Sequence, residues 1–178
     1  IKERIKDGAS RDYCASRGEY LNAIILSHYL GFEFIDAVDL ILFNHRGEFD
    51  EEATQERIKT RLEEVSHGII PGFYGSKPNG EIVTFSRGGS DITGAIIARG
   101  VNSKLYENWT DVSGFLMADP RIVKDAKPIE IITYKELREL SYMGAPVLHE
   151  EAIFPVKKAG IPINIKNTNF PEEAGTMI

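Results

Sequence analysis

The sequence predicts an α/β protein in which a largely parallel sheet is covered by helices on both faces. Three observations point there. Apolar runs of strand length alternate with segments of helical period along the chain, the pattern of βαβ units. Clusters of glycine, proline and asparagine punctuate the junctions. The 178 residues are 42% hydrophobic and 27% charged, an ordinary globular composition with enough apolar material for one domain and a sizeable core.

The elements follow in order. Ile1–Gly8 is a polar, helix-like run. Gly18–Leu30 reads as a buried helix, with Leu21, Ile24, Ile25 and Tyr29 on one face and Gly31 as its stop. Phe32–Ile35 and Leu40–Phe43 have strand length. Asp50–Val65 is an amphipathic helix with Asp50 as N-cap, Glu51 and Glu52 in the first turn, and Ile58, Leu62 and Val65 on the apolar face. Gly68–Phe73 and Glu81–Phe85 read as strands around a turn at Gly75–Gly80. Ser90–Arg99 is a helix closed by Gly100, and Lys104–Trp109 a strand. Thr133 and Glu136 form a capping box for a helix through Ser141. Val147–Ala159 is helical with Pro155 as a disturbance, Ile161–Ile165 is a strand, and Ala174–Ile178 is strand-like.

Composition also excludes. A net charge of −6 argues against a general nucleic-acid binder, which needs a basic face. Cys14 is alone, so no internal disulfide forms; a structural role and a reducing cytosol fit it best. The longest apolar runs, such as Ala23–Leu26, are too short to span a bilayer, and no signal peptide opens the chain, so no membrane partner is expected. His28, His45, His67 and His149 show no metal-ligand spacing, and His149-Glu150-Glu151 reads as a solvated helix face; no residue is assigned to a metal. The chain opens on Ile1 rather than Met, which reads as the interior of a longer protein.

Three segments carry chemistry. Ser86-Arg87-Gly88-Gly89-Ser90-Asp91 follows a strand and opens a helix. Its glycines allow close backbone approach, the helix N-terminus offers N–H groups to an anion, and Arg87 is a planar cation suited to carboxylate or phosphate. Asp91 could cap the helix or position a metal-bound phosphate; the plainer reading is a tight turn with Ser90 as N-cap. Trp109-Thr110-Asp111-Val112-Ser113-Gly114 ends a strand at the edge where α/β sheets bind ligands, and continues through Leu116 to the turn Asp119-Pro120-Arg121. As plain structure these are turn formers beside a surface arginine. In Ser16-Arg17-Gly18-Glu19, Glu19 is placed in the first helical turn, where it is either dipole-stabilised or positioned for an ammonium group. Neither G-x-x-x-x-G-K-[ST] nor G-x-G-x-x-G occurs.

Together these segments resemble the aspartate kinases of the amino-acid-kinase family. Phe85-Ser86-Arg87-Gly88-Gly89-Ser90-Asp91-Ile92-Thr93 is similar to that family's substrate loop, and Trp109–Gly114 with Ala118–Arg121 to its nucleotide segment. Ser16-x-Gly18-Glu19, Gly72-Phe73 and Met143-Gly144-Ala145-x-Val147-Leu148-His149 match in order, so the resemblance covers nearly the whole chain. It implies an amino-acid-kinase-like α/β/α fold, and transfer of the ATP γ-phosphoryl group to the side-chain carboxylate of L-aspartate, giving 4-phospho-L-aspartate for lysine, threonine and methionine biosynthesis. It implies Arg87 as the substrate carboxylate clamp and Glu19 as the ammonium partner. Ser90, Gly88, Gly89 and Phe73 would complete the pocket, with Asp91 beside the reacting group. Thr110, Asp111, Leu116, Asp119 and Arg121 would contact the nucleotide. ATP with Mg²⁺, a cytoplasmic location and a homo-oligomer in the full-length protein follow from the same likeness.

The chain departs from the pattern in stated places. The family's Lys-x-Gly-Gly-Ser motif and its following substrate threonine do not occur, and Pro146 stands where several relatives carry lysine. The expectation is therefore one incomplete catalytic domain, lacking its N-terminal strands and any ACT domain, inactive as an isolated piece. About 1–85 would be the rest of the substrate lobe and about 86–178 part of the nucleotide lobe. The alternatives are another amino-acid kinase, acting on acetylglutamate, glutamate or UMP, and a non-catalytic nucleotide-binding fragment.

Overall fold

The computed structural model describes residues 1–119, 122–142 and 150–178. They divide into two compact units, Ile1–Val101 and Asn102–Ile178. Both are α/β, and parallel strand pairing occurs in each.

In the first unit, α1 (Lys2–Lys6) is short and exposed, and α2 (Arg11–Leu30) is capped by Ser10, whose Oγ accepts from Tyr13 N at 3.2 Å. The helix closes at Gly31 in the left-handed conformation (φ 69°). It therefore begins well before the Gly18 expected from the sequence, because Ser10 supplies the cap. Its inner side is also not the expected one. Tyr13, Ser16, Arg17, Ala23 and Ser27 are buried, while Leu21, Ile25 and Tyr29 are 46%, 66% and 84% exposed.

Strands β1 (Glu33–Phe34) and β2 (Gly68–Ile69) pair in parallel across α3 (Glu51–Leu62), which Asp50 caps by accepting from Ala53 N. The run Leu40–Phe43 is not a strand of its own. A 3₁₀ turn at Ala37–Asp39 leads into it, and Leu42 bridges in parallel to Ser76. Strands β3 (Tyr74–Ser76) and β4 (Ile82–Thr84) form an antiparallel hairpin. The turn expected at Gly75–Gly80 thus starts later, since Gly75 and Ser76 lie in a buried strand against the Ile41–Phe43 backbone. Helix α4 (Gly89–Gly100) packs on α3, with Gln55 Nε2 donating to Ile96 O and Arg99 pairing with Glu51. Ile35, Leu40, Ile41, Ile58, Tyr74 and Ile96 form the core, almost fully removed from water. The compact units divide after α4, whereas the expected lobes divide near residue 85; α4 goes with the first unit because its inner face completes this core.

In the second unit, β5 (Tyr106–Thr110) runs parallel to β6 (Ile163–Asn167), with Tyr106 opposite Ile163 and Thr110 opposite Asn167. Strand β7 (Thr176–Met177) joins β6 antiparallel. Helix α5 (Tyr134–Tyr142) starts at the expected capping box: Glu136 N donates to Thr133 Oγ1, and Glu136 Oε2 accepts from Thr133 N at 2.7 Å. Helix α6 (Glu150–Ala159) contains Pro155 and buries Ala152, Ile153 and Val156. No helix among the described residues is long and apolar enough to cross a membrane.

Candidate substrate and nucleotide sites

The candidate substrate loop sits where β4 feeds α4. Gly88 takes the left-handed conformation (φ 54°) at the N-cap, and no side chain caps the helix; Ser90 lies inside it rather than at its cap. Gly89 in the loop and Gly72 on the facing segment let the two backbones touch. A Cβ on Gly89 would lie 3.0 Å from both Cα and Cδ2 of Phe73, and one on Gly72 would lie 3.0 Å from Ser90 Cα. Phe73 itself has φ 82°, a conformation that costs a bulky residue of order 1–3 kcal/mol and persists only when its surroundings impose it. Three contacts do so here. Phe73 N donates to Thr93 Oγ1 at 3.0 Å, Thr93 Oγ1 donates to Gly89 O at 2.8 Å, and Phe73 O accepts from Phe85 N at 2.9 Å.

The structure therefore brings Phe73, Gly88, Gly89 and Ser90 together. Arg87 and Ser90 are exposed, and Asp91 is half-buried in the first turn of α4. Glu19 lies mid-helix in α2, exposed, and not in a first turn, so no helix dipole acts on it. Near it the structure shows what the sequence did not signal. Arg17 is only 8% exposed, with no carboxylate partner among the described residues. Its guanidinium stacks on the rings of Tyr13, Tyr20 and Tyr74 at 4.6, 4.4 and 5.3 Å and donates to Ser16 Oγ and Tyr13 O. The Tyr74 hydroxyl donates to Asp36 Oδ1 at 2.7 Å; burial and that carboxylate push its pKa well above the ordinary phenol range.

In the second unit the candidate nucleotide turn leaves the carboxyl end of β5. Thr110 Oγ1 lies 3.2 Å from Asp111 Oδ1, and Asp111 is exposed. Thr110 O accepts from both N and Oγ1 of Thr168, at 2.8 and 3.0 Å. Ser113 Oγ accepts from Asn167 Nδ2 at 2.9 Å. Gly114 turns the chain with φ 89°, where a Cβ would strike Thr176, and Phe115 N then donates to Thr176 Oγ1 at 2.9 Å. Leu116 bridges to Pro128, and Asp119 O accepts from Ile122 N and Val123 N. Beyond it an open cleft of about 520 Å³ is lined by Met117, Lys127, Pro128, Ile129, Glu130 and Ile131. Arg121, and the motif Met143–His149 with Pro146, lie outside the described residues. Cys14 is exposed on α2 rather than packed. Among the described residues, no three His, Cys, Asp or Glu side chains cluster as metal ligands.

A glycine-lined helix start holding a strained aromatic, in an α/β fold whose other unit ends a parallel strand in hydroxyls and a carboxylate, defines a class. The chain belongs to the amino acid kinase family, which it matches over residues 1–167. Among curated proteins it is similar to aspartokinase 3 of Bacillus subtilis, 41% identical over 94% of this chain and 38% of that protein. The crystal structure of Clostridium acetobutylicum aspartate kinase superposes with a TM-score of 0.93 at 64% identity, covering 99% of this chain and 40% of that one. Escherichia coli aspartokinase III, in complex with aspartate and ADP, superposes with a TM-score of 0.82 at 31% identity, over 93% of this chain and 40% of that one. The chain thus spans about two fifths of the length of these relatives.

Proposed function

We propose that the protein carrying this chain transfers the γ-phosphoryl group of ATP to the side-chain carboxylate of L-aspartate, giving 4-phospho-L-aspartate and ADP. The observation that supports it most is Phe73, held at φ 82° against Gly89 at the start of α4, because strain of this kind clusters at ligand clamps. A carboxylate oxygen of the substrate attacks the γ-phosphorus, and the bond to the ADP oxygen breaks. The nucleophile is already ionised, so no general base is needed. The work left is positioning and charge neutralisation.

In this reading Arg87 clamps a substrate carboxylate in a bidentate pair and Glu19 receives the ammonium group. Ser90 and the α4 N-terminal amides donate to the substrate, Phe73 walls the pocket, and Asp91 stands beside the reacting carboxylate. Thr110, Asp111, Leu116, Asp119 and Arg121 contact the nucleotide. Mg²⁺ would enter with ATP as part of the substrate and would supply charge neutralisation to its phosphates. The reaction belongs to lysine, threonine and methionine biosynthesis in the cytoplasm, by a homo-oligomeric enzyme.

Steady-state kinetics of the protein carrying this chain test the assignment. Arg87→Ala is expected to raise the aspartate KM by roughly 10- to 150-fold, the loss of a charge-assisted hydrogen bond of about 1.5–3 kcal/mol, with the ATP KM little changed. Asp111→Ala should do the reverse. A large rise in the ATP KM for Arg87→Ala, with aspartate unaffected, overturns the placement of the substrate.

A further inference from the structure

We propose that Asn167 is a positioning residue that, together with Thr168, holds the Thr110–Ser113 turn in its nucleotide-receiving shape. The inference rests on the nucleotide reading given above and adds residues from a different strand to it. Strand β6 buries Ile163, Ile165 and Asn167 in alternation. The first two are what an inner sheet face demands. The third is a primary amide, 5% exposed, at a place where an aliphatic side chain would satisfy packing without any need for partners. Its polar atoms are committed: Nδ2 donates to Ser113 Oγ at 2.9 Å and Oδ1 accepts from Asn169 N at 2.9 Å. The next residue, Thr168, places both its N–H and its hydroxyl on Thr110 O.

The two anchors bracket Asp111 and Val112. Because β5 and β6 are parallel with Thr110 opposite Asn167, both anchors come from the same carboxyl edge as the turn they hold. A turn fixed at both ends presents the Thr110 and Asp111 side chains in one geometry, which lowers the ordering cost of binding a ligand there. Asn167 and Thr168 themselves need not touch the nucleotide for this.

The test uses the whole protein that carries this chain, with variants Asn167→Ala, Ser113→Ala and the double variant, and reads the KM of each substrate alongside thermal unfolding. Expected is a rise of about three- to tenfold in the ATP KM for each single variant, the size of one lost hydrogen bond, with the aspartate KM unchanged. The double variant should be no worse than Asn167→Ala alone, which already removes the Ser113 contact along with the bond from Asn169 N. Equal rises in both KM values together with a lowered Tm would make Asn167 merely structural and overturn the proposal. So would unchanged kinetics in Ser113→Ala, which deletes only a hydroxyl and guards against a misfolded Asn167 variant. Asp111→Ala separates the two readings. If it raises the ATP KM while Asn167→Ala does not, the positioning role fails alone. If it too leaves the ATP KM unchanged, the nucleotide reading fails and the positioning role with it.

Discussion

The candidate substrate loop in Ile1–Val101 combines close glycine packing with the hydrogen bonds of Thr93, whereas the candidate nucleotide turn in Asn102–Ile178 has one close glycine approach, at Gly114, and is otherwise held by side-chain hydrogen bonds. In the first unit, glycines admit neighbours that any larger residue would displace: Gly75 admits the Ile41 backbone, Gly100 the side chain of Ile58, and Gly89 the ring of Phe73. Ile41 and Ile58 belong to one core with Ile35, Leu40, Tyr74 and Ile96, and Phe73 directly precedes Tyr74 in the chain. In the second unit, Thr168 and Thr176 fasten the backbone at Thr110 and Phe115, and Asn167 holds the Ser113 hydroxyl between them. Packed interiors transmit a change in shape widely, and a lost hydrogen bond acts nearer home. Site and stability should therefore be coupled in the first unit and nearly separable in the second.

The largest expected effect breaks the first half of that comparison directly. Gly75→Ala puts a methyl group into the carbonyl oxygen of Ile41 in a buried hairpin strand, where neither backbone can yield. A loss of about 3 kcal/mol is expected, at the top of the usual range for overpacking. Urea unfolding followed by far-UV circular dichroism measures it. A loss below about 1 kcal/mol would mean that the core gives way and is not the rigid support described.

A smaller change sharpens the comparison. Thr93→Val keeps the shape of the side chain and removes the hydroxyl shared by Phe73 N and Gly89 O. An unpaired buried donor costs about 1–3 kcal/mol, and of the three contacts that hold the left-handed Phe73 only the bond from Phe85 N remains. Stability and the aspartate KM should worsen together, with ATP binding unaffected. A lowered Tm with an unaltered aspartate KM would detach the Phe73 conformation from substrate binding.

Local signals carried much of this architecture in the sequence. The Asp50 cap, the Thr133–Glu136 box and the stop at Gly31 are short-range chemistry and appear where expected. The glycine loop and the strand end at Thr110 were legible for the same reason. What was not legible depends on distant partners. Nothing local says that Arg17 turns inward onto three tyrosines while Ile25 turns outward, because that is decided by what α2 packs against. Nothing local separates Asn167 from any polar strand residue, since its partner Ser113 lies in another segment. The Leu40–Phe43 run is apolar enough for a strand, but only Leu42 finds a bridge partner in β3. The one available hint was alternation: a buried amide after two isoleucines marks a polar residue at an apolar position.

The smallest expected effect lies in the second unit and is read through pH. Glu136 accepts from Thr133 N at 2.7 Å and from Thr133 Oγ1 at 2.8 Å, and these two bonds hold its pKa below the usual carboxylate value. A carboxyl group whose folded pKa is depressed adds stability that is fully present above its unfolded value, near 4.3, and is lost as pH falls through the folded value. Glu136→Gln keeps an acceptor for the capping box but removes the charge, and with it the titration. The difference in Tm between the parent and this variant should therefore be constant at about pH 6 and above, and shrink as the solution is acidified below the ordinary glutamate range. Subtracting the two curves cancels every other carboxylate in the chain. A difference that stays constant into acid would show that the Thr133 contacts do not favour the ionised form. In the first unit Gly75→Ala is expected to be insensitive to pH over the same interval, since no titrating group lies in the contact it breaks, and that contrast between a cap and a core completes the test.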